Sequence, residues 1–135
     1  MIQKIEHIGF AVSEADERVS LFEKLLGTNL TKSEIVESEK VRTWFFQAGE
    51  SQIELLESLD PEGVIAKFIG KRGEGMHHIA FLTDNLQEEI LRLKNLGFEF
   101  IHETPKQGAD NKRIVFLHPK STAGVLIELC EEIAR

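Results

Sequence analysis

Two short stretches of alternating apolar and polar residues set the pattern of this chain. Residues 5–11, IEHIGFA, and residues 75–81, GMHHIAF, lay His7 over His78, Ile8 over Ile79, Gly9 over Ala80 and Phe10 over Phe81. In a strand, successive side chains face opposite ways. One face of each stretch is therefore apolar, with Ile8, Phe10 and Val12 in the first and Ile79 and Phe81 in the second. The other face carries a histidine among small neighbours, Gly9 and Ala11 beside His7 and Ala80 beside His78, so that space is left around each imidazole.

The elements that follow repeat in order. A strand at about 3–12 leads to a helix at 15–26, whose Val19, Phe22, Leu25 and Leu26 form a stripe at helical spacing. Ser13 with Asp16 reads as a variant capping box, and Gly27 ends the helix. A strand at 29–36, a turn at 37–40 and a hairpin of 41–48 with 51–57 about Gly49-Glu50 complete the first copy. Asp60-Pro61 opens a short helix with Val64, Ile65, Phe68 and Ile69 on one side, closed by Gly70-Lys71-Arg72-Gly73. The second copy runs as a strand at 76–83, a cap at Asp84-Asn85, a helix at 86–96 burying Leu86, Ile90 and Leu93, and a strand at 98–103. A loop at 104–112 and strands at 113–118 and 124–131 finish it. The prediction is βαβββ twice: an α+β fold whose eight strands form a curved, partly closed mixed sheet. All 135 residues make one domain, with modules at about 1–59 and 74–135 joined by a linker helix at about 60–72.

The repeat carries acids as well as histidines. Ile53-Glu54-Leu55-Leu56-Glu57 matches Ile127-Glu128-Leu129-Cys130-Glu131, and the glutamates stand 47 and 50 residues after their histidines. A lone strand histidine is usually a core or surface residue. Two in register, each followed by a glutamate at an equivalent distance, point instead to one shared metal site made by His7, Glu54, His78 and Glu128. Imidazole nitrogen with carboxylate oxygen suits Co, Mn, Fe, Ni or Zn in a five- or six-coordinate site. Four ligands on an octahedral ion leave two adjacent positions for a bidentate substrate. Gln52, two residues before Glu54 on the same face, is the alternative fourth ligand, and the match to 127–129 favours Glu54. Glu128 lies between Leu126 and Cys130 on its own face, a setting that costs a carboxylate its hydration unless it is paired or bound to metal. His77 points to the opposite face and reads as packing. His102 and His118 lack repeat partners and read as structural or substrate-side, and Glu57 and Glu131 as solvated surface.

Charge changes the picture in one place. Sixteen Lys and Arg against 23 Asp and Glu give a net charge of −7, which argues against nucleic acid as a partner. Yet Lys106, Lys112, Arg113 and Lys120 cluster in the last quarter, either as solvated surface or as a landing site for a phosphorylated ligand. The single cysteine, Cys130, excludes an internal disulfide and a cysteine-based zinc site, and reads as a small core residue. No apolar run approaches the ~18 residues of a membrane span, and the N-terminus does not read as a leader, so the expected location is the cytoplasm.

The segments GESQIELLESLDPEGVIAKFI (49–69), KRGEGMHHIAF (71–81) and IVFLHPKSTAGVLIELCE (114–131), with the paired His/Glu copies, resemble the vicinal oxygen chelate superfamily and its glyoxalase-like fold. Within it they resemble the methylmalonyl-CoA epimerase family over essentially the whole chain. FLHPKSTAGVLIEL together with GEGMHHIAF marks that branch rather than the superfamily at large. The resemblance implies metal ligands at the same four positions, His7, Glu54, His78 and Glu128. It implies a divalent ion, cobalt first, with zinc, manganese or nickel as alternatives. The implied reaction interconverts the 2R and 2S forms of methylmalonyl-CoA through a metal-stabilised enolate, with Glu128 and Glu54 as catalytic carboxylates. Lys106, Lys112, Arg113, Lys120 and Ser121 would hold the phosphates of CoA, and the assembly would be a homodimer.

Two departures stand out. The best-known members have Gln where Glu54 stands. A glutamate that some members use as a base on the third strand is matched here by Thr43, which leaves the second acid/base unassigned. The same scaffold also supports a glyoxalase I-type lyase/isomerase, or a metal-free small-molecule-binding protein that would not need His7, His78 and Glu128 together. An extradiol dioxygenase needs three open positions on iron, one of which a fourth protein ligand would fill.

Overall fold

The computed structural model describes residues 1–133. Its strands are β1 (Ile2–Val12), β2 (Lys32–Val36), β3 (Val41–Ala48), β4 (Ser51–Ser58), β5 (Gly75–Thr83), β6 (Lys106–Gln107), β7 (Lys112–Phe116) and β8 (Ile127–Glu132). Its helices are α1 (Ala15–Leu26), α2 (Val64–Arg72) and α3 (Leu86–Asn95). The hydrogen-bonded order is β2-β3-β4-β1-β5-β8-β7-β6, an eight-stranded mixed sheet of the expected α+β class. β1 with β4 and β5 with β8 are parallel, whereas the hairpin neighbours are antiparallel. The chain forms two compact units, one of His7–His77 and one of Met1–Glu6 with His78–Arg135, so β1 contributes its first half to one and its second half to the other.

In the unit His7–His77, alternation along β3 and β4 divides the apolar residues between two cores. Phe46 and Leu55, with Trp44 and Ile53, face α1 and bury its Ala15, Val19, Phe22 and Leu26, with the Phe22 ring 5.4 Å from Phe10 and 6.2 Å from Phe46. Val41 and Leu56 face the other way, with Ala11, and receive Ile65, Phe68 and Ile69 of α2. Fully burying a side chain such as Phe46, Leu55 or Ile65 stabilises the fold by about 1.5–3 kcal/mol.

Two helix starts differ from expectation. The Ser13/Asp16 box does not form: the N-cap of α1 is Glu14, which makes no side-chain cap bond, and the Ser13 amide donates instead to Glu74 Oε1 at 2.9 Å. α2 begins at Val64 rather than at Asp60-Pro61, because Ser58 Oγ accepts from the Asp60 amide and Asp60 Oδ1 from the Glu62 amide, holding the segment as a turn.

In the other unit, α3 lays Leu86, Ile90 and Leu93 on Val115, Leu117 and Leu129, and Asn85 caps it by accepting from the Glu88 amide, as its sequence predicts. The strand expected at 98–103 is reduced to a single bridge, Phe100 to Leu117. Phe98 and Phe100 are drawn into the α3 core, Ser121 Oγ takes the Glu99 amide, and the chain bends at Ile101, Glu103 and Thr104, so regular pairing stops and resumes only in β6. β8 starts at Ile127 instead of 124 because Ala123 and Gly124 sit at φ 56° and 88°, which a strand cannot accommodate.

Candidate functional site

Each unit builds a histidine–glutamate pair by one rule. On β1 and β4, Gly9 is the register partner of Glu54, and His7 precedes Gly9 by two residues on the same face. The imidazole leans along the strand to bring Nδ1 within 3.0 Å of Glu54 Oε2, with His7 5% and Glu54 4% exposed. On β5 and β8, Ala80 is the register partner of Glu128, and His78 precedes Ala80 by two. His78 Nε2 lies 3.4 Å from Glu128 Oε1, and both residues are buried. A residue with little or no side chain opposite each carboxylate leaves it room. A carboxylate this far from water costs several kcal/mol unless a cation or donor faces it, so an imidazole here is a partial substitute for a positive ion. Each pair thus offers imidazole nitrogen and carboxylate oxygen, donors that could serve a metal ion.

Gln52 is the register partner of His7 and less buried than Glu54, whose carboxylate is the one that meets the imidazole. Phe116, opposite Glu128 on β7, presents its ring to the His78 edge at 5.8 Å and 84°. Thr43 is 1% exposed and has no titratable group. The acid nearest in sequence is Glu39, in the 3-10 turn Glu37–Glu39 before β3, with one carboxylate oxygen fully enclosed. Nothing in the periodicity of residues 37–40 singles it out. His77 packs edge-on against Phe68 at 4.9 Å, and burial pushes its pKa down to about 4 against an opposing pull from Glu39. Glu6, buried next to His7, was hidden from sequence reasoning by its place on the other side of the strand alternation.

The basic residues do not form one uniform patch. Lys106 and Arg113 are exposed on adjacent strands. Lys112 is buried, with Nζ 3.3 Å from both the carbonyl and Oδ2 of Asp110. Burial alone would lower its pKa, but the charges of Glu6 and Asp110 outweigh it and the pKa is raised. Lys120 Nζ pairs with Glu99 Oε2 at 3.0 Å on the surface, and Ser121 Oγ accepts from the Glu99 amide. His118 Nδ1 accepts from the Lys120 amide and caps the 3-10 turn Pro119–Ser121. Glu131 is not simply solvated: its Oε2 takes the first amide of α3, from Leu86, at 2.9 Å. Glu57 borders a pocket of about 440 Å³ on the α1 side of the sheet, with Ser13, Glu14, Arg42 and Trp44, away from the face that bears His7 and Glu54.

Residues 6–116 match the model of the Glyoxalase/Bleomycin resistance protein/Dioxygenase superfamily. The chain belongs to this superfamily. Within it, the sequence is similar to the uncharacterized protein YqjC of Bacillus subtilis, 41% identical over 130 residues, 96% of this chain and 93% of that one. The crystal structure of methylmalonyl-CoA epimerase from Mycobacterium tuberculosis superposes with a TM-score of 0.93 at 35% identity, covering 98% of this chain and 90% of that one. Streptomyces coelicolor methylmalonyl-CoA epimerase in complex with 2-nitronate-propionyl-CoA follows at 0.91 and 31%, covering 99% and 97%.

Proposed function

We propose that this superfamily member is an epimerase that interconverts (2R)- and (2S)-methylmalonyl-CoA by removing and returning the proton at C2. The observation that carries the reading is the repeated pair: one buried imidazole against one buried carboxylate in each unit, each set by a small residue on the parallel strand. The likeness to solved epimerases at 31–35% identity over nearly the whole chain supports the choice of reaction within the superfamily.

In this reading His7, Glu54, His78 and Glu128 together hold one divalent ion, taken to be cobalt, with zinc, manganese or nickel as alternatives. The donor set fits: nitrogen and carboxylate oxygen, no thiolate, and burial that favours replacing the imidazole contact by a full cation. Bound there, the ion would supply positive charge beside the thioester and carboxylate oxygens of the substrate. Glu128 takes the C2 proton from one face of the carbon, with Glu54 as the second carboxylate of the set, and a proton delivered to the opposite face by water or a residue there inverts the centre. Lys106, Arg113, Lys120 and Ser121 hold the phosphates of CoA, whereas Lys112, already engaged by Asp110, braces the segment that carries them. The reading further takes the chain as a single domain of two βαβββ modules, a homodimer, working in the cytoplasm on a CoA thioester. No helix among the described residues is long and apolar enough to cross a membrane.

The test follows the C2 proton of methylmalonyl-CoA in deuterated solvent by NMR, before and after chelation and after restoring Co(II). Exchange that stops with chelator and returns with metal is expected. No exchange by the metal-loaded protein would remove the epimerase reading, and exchange indifferent to chelator would remove the metal from it.

A further inference from the structure

His102 lies in the irregular segment between α3 and β6, and its ring is oriented by one bond, Nδ1 to the Thr104 carbonyl oxygen at 2.9 Å. A carbonyl only accepts, so Nδ1 carries the proton of this bond, and the tautomer it selects turns Nε2 into an acceptor. That Nε2 is enclosed and has no hydrogen-bond partner among the described residues. An unmet buried acceptor destabilises the fold, so the polarity of this ring does not account for its place. Its shape does. The ring meets Phe116 at 6.3 Å and 68°, and Phe116 in turn meets His78 at 5.8 Å and 84°. Phe116 is also the register partner of Glu128, the carboxylate that His78 faces. One phenyl ring is thus wedged between two imidazoles beside the His78–Glu128 pair, all within the unit that contains residues 78–133.

We propose that His102 is a positioning residue for His78, acting through Phe116. Offset or edge-to-face ring contacts of this kind are favourable beyond their buried area and so select one ring orientation over its neighbours. With Thr104 holding His102, and His102 closing one side of Phe116, the phenyl ring cannot turn away and the plane of the His78 imidazole is fixed for ligation. The inference rests on the metal reading of the site.

Co(II) is the probe, added to the full chain as wild type, His102→Leu and His102→Phe. Leucine fills most of the volume but offers no ring edge. For His102→Leu the ligand-field bands of bound Co(II) shift and broaden, affinity falls on the order of tenfold, the low end of what supporting residues give a metal site, and kcat for C2 exchange drops with KM unchanged. His102→Phe restores the bands and the affinity, because it returns the edge contact without the bare acceptor. A His102→Leu protein with wild-type bands and affinity, whatever its urea midpoint, overturns the proposal, as does a failure of His102→Phe to restore them. A wild-type chain that takes up no Co(II) fails earlier, and removes the metal reading together with this inference.

Discussion

In the unit His7–His77 the histidine–glutamate pair is flanked by long, regular strands: β4 pairs along its length with the eight-residue β3, and β3 with the five-residue β2. In the other unit the pair has thinner regular support, since β7 has five residues, β6 only two, and the stretch between α3 and β6 keeps a single bridge. There the edge of the sheet is completed by side chains: Phe98 and Phe100 in the α3 core, His102 behind Phe116, Ser121 on the Glu99 amide. Yet both units bring imidazole nitrogen and carboxylate oxygen to 3.0–3.4 Å. The pair depends on two parallel strands and on a small residue across from the glutamate, and the outer strands are left to diverge.

Breaking either pair gives the largest effect. His7→Ala and His78→Ala should each lower metal-dependent C2 exchange on the order of 10³-fold, the scale on which loss of one charge-stabilising contact is felt. Glutamine substitution sharpens the comparison. Glu128→Gln should cost as much as a histidine change because the proton acceptor itself is lost. Glu54→Gln should keep the metal and lower exchange by less than tenfold, since an amide oxygen still donates to the ion. Equal losses for the two glutamines would mean that the units share the proton work as well as the metal.

The position just before each histidine differs between copies: Glu6 in the first, near Lys112, and His77 in the second, packed on Phe68. Burial lowers the His77 pKa from 6.5 to about 4, with Glu39 opposing. Because the folded value lies below the unfolded one, the unfolded chain takes up the proton first as pH falls. The stability this neutral ring allows is complete above pH 6.5, declines as the pH drops toward about 4, and then levels off, a loss of up to about 3 kcal/mol. His77→Phe should flatten urea stability over that window relative to wild type; an unchanged slope would place the acid sensitivity elsewhere.

The repeat was legible because its signal is local. Alternation around His7 and His78, and the Ile-Glu-Leu matches at Glu54 and Glu128, identify strands whose small partners Gly9 and Ala80 could be read from the same strings. What escaped depends on contacts distant in sequence. Nothing near Ser13 announces that Glu74 will take its amide, or near Leu86 that Glu131 will do the same. Phe98 and Phe100 fit a strand pattern equally well, and only the presence of α3 decides that they enter its core and leave one bridge behind. Lys112 reads as one more surface cation until Asp110, at φ 56°, folds back to meet it. Glu39 reads as a turn residue until one of its oxygens is found enclosed.

The helix starts offer the smallest and most separable contrast. α3 is capped locally, by Asn85 on the Glu88 amide at 3.1 Å, and a neutral cap of this kind is worth about 1 kcal/mol at any pH. α1 is held from a distance: Glu74 takes the Ser13 amide through Oε1 and grips Arg18 through both oxygens, at 3.2 and 2.8 Å. The Arg18 contact, then the Ser13 amide, hold the Glu74 carboxyl below its ordinary value of 4.5. A lowered carboxyl stabilises the fold above its unfolded pKa, and that contribution fades as pH falls through the folded one. With the two side chains 27% and 31% exposed, solvent limits it to within ~1 kcal/mol. Urea unfolding should therefore show Asn85→Ala equally costly at pH 7 and pH 3, and Glu74→Gln less costly at pH 7 and nearly silent at pH 3. If Glu74→Gln cost the same at both, the hold on α1 would come from the shape of the glutamate side chain and not from its charge.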